Sequence, residues 1–397
     1  MVVLVWDISQ PSQPRKLCEW GPRGAIFKGL AVNTDPDSPA ILVVSFINQA
    51  SEHHVHVLSL DQEDDTTRLS SLVSFPTNFV PMALAGTRVA LSDDRSQTAI
   101  WDWSTNEYAI LDEDMSAEGS PQRSPHSSLS PWQHNQPAQV VFTFDSILVV
   151  RARLLSLFFD PQLSPSGQIS SPHTLPPIAT FSFGWLDGVS VASRPSLSTA
   201  SSPPSYHILL RAESDDPWSP SDAHTLDLYT LAFNPEYLLE KERRQNEESD
   251  PGHPSRSSTD MPLPYTFPPR FQTRLPTSRG ALRCTGLRLG KCGTALWVRP
   301  SESIGRTTGL VQFTSFGSDY PMSIPVSGTR RRDKEWLMAA ILPGSPLDAN
   351  PKAGGAACPM LLLPNEDVHD WTCFDYDEAS GRIVLGKGDG DAVLLCI

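Results

Sequence analysis

Short β-forming runs recur along the whole chain in groups of three, and this recurrence constrains the fold more than any other feature of the sequence. Within Arg88–Thr105, the runs Val89–Leu91 and Thr98–Trp103 flank a polar segment that begins with turn residues, which predicts a β-hairpin. Apolar side chains fall on both faces of the second run, so we expect this small sheet to be covered on both sides.

A small antiparallel sheet covered on both faces is typical of the blade of a β-propeller, which packs against a neighbour on either side. Six groups of runs have this character: 25–32, 40–47 and 54–60; 82–86, 88–93 and 98–103, with 107–111 as a fourth run; 139–143, 146–152 and 154–159; 177–186, 206–212 and 225–233; 281–289, 294–299 and 309–316; and 371–376, 382–386 and 391–397. The chain also opens inside a strand that ends at Trp6-Asp7, before the first group. We therefore predict an all-β, WD-like propeller of seven blades with the first blade truncated, forming a single domain over residues 1–397.

Polar insertions separate several of these groups and are rich in Ser, Pro, Asp, Glu and Gln. Their apolar content is too small to offset the entropy of ordering them, so we expect disordered loops. The predicted insertions are 112–137, 160–176, 192–205 and 240–268.

One helix is predicted from Pro235 through Arg244, with Asn234 as its N-cap. Leu238 and Leu239 would supply its apolar edge. Two interpretations stay open for this helix, a short surface helix and a helix that docks a partner.

The composition narrows the class of molecule that this protein can bind. A formal net charge of −14 argues against a nucleic-acid groove, which needs clustered Lys and Arg to neutralise phosphates. The six cysteines form no Cys-x-x-Cys pair, which indicates reduced thiols rather than a zinc site or a disulfide framework. The first residues lack a basic start and a long apolar stretch, and no apolar run reaches about 20 residues, so we expect neither a signal peptide nor a membrane span. We expect a cytoplasmic or nuclear protein that binds other proteins, with no cofactor, no nucleic acid and no membrane.

Candidate catalytic and metal-binding residues are few. Ser190 follows Gly188 in a β-forming run, but the final glycine of a nucleophile elbow is absent, so an ordinary strand is favoured. The glycines of 386–390 precede a strand rather than a helix, which favours a hairpin over a phosphate loop. His54 and His56 share a strand face near His53, which leaves two interpretations, a metal site and a solvated hairpin end.

The C-terminal stretch resembles the closing blade of the WD-like propellers that follow an F-box in many fungal F-box proteins. Its residues are His369-Asp370-Trp371-Thr372-Cys373-Phe374-Asp375-Tyr376-Asp377-Glu378-Ala379-Ser380-Gly381-Arg382-Ile383-Val384-Leu385-Gly386. The Trp-Asp strand ends at Trp6-Asp7 and Trp101-Asp102 are similar to those of the same family. This resemblance implies a non-enzymatic propeller that captures a target protein, while an F-box binds a Skp-type adaptor of a cullin ubiquitin ligase. No amphipathic three-helix segment with a leading Leu-Pro lies near the N-terminus, so the resemblance covers the propeller portion only.

The expected blade positions follow from the turns and from this resemblance. Gly381 is predicted to close a turn in the left-handed conformation, and His369 is predicted to pair with Asp389 in a hairpin turn. The full set is Trp6, Asp7, Trp101, Asp102, His369, Trp371, Asp377, Gly381 and Asp389. Two alternatives to the F-box function stay open: a general scaffold or regulatory WD-like propeller without a ubiquitin link, and a propeller hydrolase or lyase.

Overall fold

A computed structural model describes residues 2–10, 12–63, 66–93, 97–111, 137–165, 174–194, 203–212, 223–248, 261–278, 286–300, 335–342, 360–364 and 371–396, and the structural statements below concern these residues. The chain divides into two compact units. Unit 1 covers 1–218, 226–274 and 396, and unit 2 covers 219–225, 275–395 and 397.

The elements are almost all strands. In chain order they are β1 (Val3–Asp7), β2 (Arg15–Trp20), β3 (Ile26–Val32), β4 (Leu42–Ile47), β5 (His53–Glu63), β6 (Thr66–Pro76), β7 (Val80–Ala85), β8 (Arg88–Ser92), β9 (Thr98–Asp102), β10 (Glu107–Leu111), β11 (Pro137–Thr143), β12 (Ser146–Arg151), β13 (Leu154–Phe159), β14 (Ser164–Pro165), β15 (Thr174–Leu175), β16 (Ala179–Ser182), β17 (Leu186–Arg194), β18 (Ser205–Ala212), β19 (Ala223–Leu231), α1 (Pro235–Glu248), β20 (Arg270–Ser278), β21 (Leu287–Leu289), β22 (Thr294–Pro300), β23 (Glu335–Ile341), β24 (Met360–Pro364), β25 (Trp371–Asp377), β26 (Arg382–Lys387) and β27 (Ala392–Cys396).

Apart from the two-stranded sheet of β1 and β2, each sheet is built on an antiparallel meander of three or four strands, which is the construction of a propeller blade. Blade 1 is β3 to β6, blade 2 is β7 to β10, blade 3 is β11, β12, β13 and β16, blade 4 is β17 to β20, blade 5 is β21 to β24, and blade 6 is β25 to β27. The short strands β14 and β15 both pair with β10 at the edge of blade 2. The fold is therefore all-β and built of propeller-type blades, as predicted.

The predicted number of seven blades is wrong, because the described residues form six sheets of three or more strands. Strands β1 and β2 make a separate two-stranded sheet, which we call the ribbon. A two-stranded sheet has too little buried surface to count as a blade of its own.

Two strand assignments from the sequence also need correction. The run 177–186 was assigned to the start of the fourth blade, but β16 pairs with β13 and closes blade 3, and Gly184, with φ 85°, separates it from β17. In blade 5 the strand that pairs with β22 is β23, whereas the predicted run 309–316 lies outside the described residues. The Leu-Met-Ala-Ala core of β23 has no β-branched residue, so its sequence resembles a helix as much as a strand.

The helix begins as predicted. Asn234 caps it, because its Oδ1 atom accepts a hydrogen bond from the Glu236 N–H at 3.2 Å. The helix is anchored differently from the prediction, since Tyr237 is the buried side chain and Leu239 is exposed. The Tyr237 hydroxyl donates to Asp145 Oδ2 at 3.3 Å, and Lys241 forms an ion pair with the same carboxylate.

The four predicted insertions are described only in part. Strands β14 and β15 lie within 160–176, the end of β17 lies within 192–205, and the end of α1 lies within 240–268. The ranges 112–136, 166–173, 195–202 and 249–260 lie outside the described residues.

Apolar clusters join consecutive sheets face to face within each unit. In unit 1 they join the ribbon to blade 1, blade 1 to blade 2, blade 2 to blade 3, and blade 3 to blade 4. In unit 2 a cluster joins blades 5 and 6. Sheets buried on both faces explain why the strands carry apolar residues at successive positions.

Candidate protein-binding edge

The ribbon packs one of its faces on blade 1. Val5 lies opposite Cys18, and both belong to the cluster that contains Leu42, Val44 and Leu58 of blade 1. The other ribbon face is exposed. Leu4 and Trp6, which alternate with the packed residues, are 44% and 48% exposed. The ribbon is therefore apolar on both faces, although blade 1 covers only one of them.

The ribbon covers only part of the facing side of blade 1. Strand β2 contacts β6, the fourth strand of blade 1, so β1 lies on the side of the first strand, β3. Leu30 and Val32 of β3 lie opposite Val44 and Leu42, and residues directly opposite each other share a sheet face. They are nevertheless 49% and 64% exposed, so β3 extends past the ribbon as an uncovered apolar shelf.

Among the described residues, β1 pairs with β2 and with no other strand. We call Leu4, Trp6, Leu30 and Val32, together with the side of Val3–Trp6 that faces away from β2, the open edge. An uncharged edge strand without proline is a template for pairing with another chain. Val3 to Trp6 has neither a charge nor a proline.

Exposed apolar side chains concentrate here. Of the 15 large apolar side chains that are exposed among the described residues, four belong to the open edge: Leu4, Trp6, Leu30 and Val32. Singly scattered exposed apolar residues need no explanation, whereas exposed apolar pairs on two strands, here β1 and β3, indicate an interaction surface.

An aromatic cluster holds the ribbon in place. The His56 ring lies 5.4 Å from the Trp20 ring of β2 and 5.1 Å from the Phe46 ring of β4. Burial, together with the neighbouring His54, lowers the pKa of His56. His53 and His54 begin β5 directly after a turn, as the hairpin-end interpretation expects, whereas His56 is half-buried and its Nδ1 atom lies 3.1 Å from Ser71 Oγ. The described residues contain no group of three His, Cys, Asp or Glu side chains arranged to hold a metal ion.

Trp101 and Asp102 lie at the end of β9, the third strand of blade 2, which is where the Trp-Asp pattern places them. Trp101 is only 5% exposed, and its Nε1 atom donates to Asn106 Oδ1 at 3.2 Å. Asp102 accepts hydrogen bonds from Thr87 Oγ1 at 2.7 Å and from the Ser104 N–H at 2.9 Å. Burial acts to raise the pKa of Asp102, but these hydrogen bonds outweigh it and hold the pKa below its usual value.

The remaining predicted positions lie mostly in turns. Gly381 has φ 64°, the left-handed conformation expected for it, and Trp371 is buried in blade 6. Three aspartates accept a backbone N–H two residues later, Asp7 from Ser9, Asp377 from Ala379 and Asp389 from Asp391, at 2.9, 3.1 and 3.0 Å. His369 lies outside the described residues, and so does its predicted pairing with Asp389. These residues do not converge on one site.

The residues considered for catalysis lie in ordinary β-structure. Ser190 is buried in β17, opposite Leu209 of the neighbouring strand. Gly386 and Gly390 belong to the hairpin between β26 and β27. In the described part of the chain, no helix is long and apolar enough to cross a membrane.

The comparisons with known proteins found neither a matching family model nor a matching curated protein. Among solved structures, the chain is similar to the WD40 domain of SCAP from fission yeast, with 10% identity, 99% of this chain and 79% of that chain covered, and a TM-score of 0.44. It is also similar to the C-terminal WD40 domain of Sif2, with 8% identity, coverage of 100% and 90%, and a TM-score of 0.44. A third similarity is to the N-terminal domain of Nup170 in a Chaetomium thermophilum Nup170–Nup53 complex, with 10% identity, coverage of 99% and 55%, and a TM-score of 0.45. The assignment of the fold depends on the strand pairing of the chain itself.

The open edge was not foreseen from the sequence. Alternation along β3 could have indicated that Leu30 and Val32 share a face, but their exposure depends on how far the ribbon reaches across blade 1. That reach is a property of packing between sheets, which a local sequence pattern does not contain.

Proposed function

We propose that this protein is a non-enzymatic protein-interaction propeller of the cytoplasm or nucleus, and that its open edge binds a partner polypeptide. The observation that supports the proposal is the group of exposed apolar side chains on β1 and β3. Trp6 suits the role of an anchor, because tryptophan is enriched among the residues that dominate binding energy. The net charge of −14 keeps the rest of the chain soluble around this apolar area.

The test compares two pairs of lysine substitutions. Leu30→Lys with Val32→Lys places charges on the open edge, and Leu60→Lys with Leu72→Lys is the matched control, since Leu60 and Leu72 are also exposed leucines of blade 1. All four positions are exposed, so each variant should keep the stability of the original chain within about 0.5 kcal/mol.

Affinity capture of the tagged full chain, followed by quantitative mass spectrometry, is the measurement. We expect specific partners to fall at least about tenfold with the open-edge variant, because a buried lysine costs well over 1.4 kcal/mol. The control variant should retain these partners. Equal capture by both variants would show that the open edge is not the binding surface.

A more specific form of the proposed function is substrate recruitment for an F-box ubiquitin ligase. The support for it is the resemblance of the C-terminal stretch, of which residues 371–387 form β25 and β26 of blade 6. Expression from the complete transcript, with capture of a Skp-type adaptor, tests this link. If no adaptor is captured while other partners are, a general scaffold without a ubiquitin link is the better description.

A further inference from the structure

Two Ser-Pro pairs lie within the described residues, Ser38-Pro39 and Ser164-Pro165. A serine followed by proline is the pair that proline-directed protein kinases phosphorylate. Phosphorylation adds a charge of about −1.5 to −2 at pH 7 and three acceptor oxygens, so its effect depends on what surrounds the serine. The two serines have different surroundings.

Ser38 is held in the turn between β3 and β4, which joins blade 1 to blade 2. Its Oγ atom donates to the Gly86 carbonyl of blade 2 at 3.1 Å and accepts the Ala40 N–H at 3.3 Å. Asn33 also donates to the Gly86 carbonyl, at 3.1 Å, and accepts the Gly86 N–H at 2.9 Å. A kinase therefore reaches the Ser38 hydroxyl only after these contacts between the blades open.

Ser164 lies in a segment that leaves its own blade. After β13 the chain crosses from blade 3 to blade 2, where β14 and β15 both pair with β10, and it returns to blade 3 at β16. We call residues 160–165 and 174–178 the strap. Leu163 and Leu175 anchor the strap, because both pack against the apolar cluster between blades 2 and 3.

Within the strap, Ser164 has an extended backbone that few contacts hold. Strand β14 consists of Ser164 and Pro165 and is the last strand of its sheet, so among the described residues it pairs with β10 and with no other strand. Pro165 is exposed and Ser164 is half-buried. A two-residue strand with one partner opens at a low cost in free energy. Ser164 is thus the more accessible of the two serines to a kinase, which binds its substrate as an extended chain.

We infer that Ser164 is a phosphorylation site for a proline-directed protein kinase, and that a phosphate there releases β14 from blade 2. In the reaction the Ser164 Oγ atom attacks the γ-phosphorus of ATP, and the bond from this phosphorus to the oxygen of the leaving ADP breaks. The hydroxyl proton passes to a carboxylate of the kinase. The inference goes beyond the proposed function, because it concerns blade 2 rather than the open edge.

The surroundings of Ser164 favour release after phosphorylation. Ser164 lies opposite Tyr108, so the two side chains share a sheet face. Tyr108 packs against the apolar cluster between blades 1 and 2, and a phosphate beside it would lose water that apolar groups do not replace. Glu107, the neighbour of Tyr108 in β10, adds a like charge. Arg88, the basic residue that reaches the strap from β8, is already ion-paired with Asp160.

The first test compares the two serines in one sample. The full chain is incubated with a purified cyclin-dependent kinase and ATP, and mass spectrometry follows the phosphate on each Ser-Pro pair over time. We expect Ser164 to be phosphorylated at least about tenfold faster than Ser38, because opening β14 breaks fewer contacts. No phosphate on Ser164, or a rate for Ser38 equal to that for Ser164, would overturn the inference.

The second test measures the release of β14 by hydrogen exchange. Its control is Ser164→Ala after the same kinase treatment, since this variant carries every other phosphate that the kinase adds. We expect exchange in residues 107–111 and 160–165 to be at least about fivefold faster in the phosphorylated original chain than in the control, and exchange in residues 371–377 to be the same.

Equal exchange of residues 107–111 in the two treated samples would overturn the release of β14. Neither test involves the open edge, so failure of this inference is distinct from failure of the proposed function. Capture of partners by the Leu30→Lys, Val32→Lys variant decides the proposed function alone.

Discussion

The ribbon and blade 2 contain the same Trp-Asp strand end in opposite surroundings. Trp101 is 5% exposed between blades 1 and 2, whereas Trp6 is 48% exposed. Asp102 accepts hydrogen bonds from Thr87 as well as from Ser104, because Thr87 comes from the hairpin that precedes β8. No such hairpin stands beside Asp7 among the described residues. The Trp-Asp pattern therefore defines the end of a strand, and the neighbouring strands decide whether it stabilises the fold or stays available for binding.

The largest expected effect is the difference between the two tryptophans. Trp101→Ala should lower the free energy of unfolding by about 3–5 kcal/mol, because it removes a buried ring and leaves a cavity against Phe75, whose ring centroid lies 4.1 Å away. Trp6→Ala should cost about 0.5 kcal/mol. Urea denaturation followed by circular dichroism measures both variants. Similar losses for the two would mean that the ribbon is as fully packed as blade 2.

The sequence predicts the features that depend on local contacts, and it fails for those that depend on contacts between distant parts of the chain. The strands of blade 6, the cap at Asn234 and the turn at Gly381 follow from local patterns and are confirmed. The boundary between blades 3 and 4 was misassigned, because β16 and β17 form one nearly continuous β-forming run. Strand β23 was missed because its propensity is ambiguous and its partner β22 lies far back in the chain.

Contacts between blades are beyond sequence patterns altogether. Glu378 shows this, since its carboxylate accepts the backbone N–H groups of Cys292 and Thr294 in blade 5, at 2.5 and 3.0 Å. In the sequence Glu378 is one of several polar residues in a turn. The exposure of Leu30 and Val32 was unpredictable for the same reason, because it depends on sheet packing.

A second expected effect concerns pH and extends the comparison to blade 4. Burial, followed by the positive charge of Arg194, lowers the pKa of His207 to about 4. The unfolded chain takes up this proton near pH 6.5, so stability is lost as the pH falls from about 6.5 to 4, by up to about 3 kcal/mol. His207→Gln should remove most of this loss. His56→Gln is the control, because His56 beside the ribbon is only half-buried and its substitution should change the pH-dependent loss of stability less. Urea unfolding of both variants at pH 7, 5.5 and 4 is the measurement.

If His207→Gln and the original chain lost stability in parallel over this pH range, His207 would not be buried in its neutral form. Water would then reach His207 in blade 4 as readily as it reaches His56 beside the ribbon.

A smaller difference is expected between the two aspartates. Asp102→Ala removes the acceptor of Thr87 Oγ1 and of the Ser104 N–H, and should cost about 2 kcal/mol. Asp7 accepts from the Ser9 N–H and forms an exposed ion pair with Arg15 at 3.8 Å, so Asp7→Ala should cost about 0.5 kcal/mol. Thermal unfolding of the two variants side by side measures the difference. A cost for Asp7→Ala equal to that for Asp102→Ala would remove the distinction between the two strand ends.

Hydrogen exchange of the free full chain tests the central claim most directly, because it compares β1 with its equivalent β9 in one sample. Among the described residues, strand β9 is paired on both sides and β1 on one. We predict that the amides of residues 2–7 exchange at least about 100-fold faster than those of residues 98–102. Equal protection of the two strands would contradict the claim that β1 is an open edge.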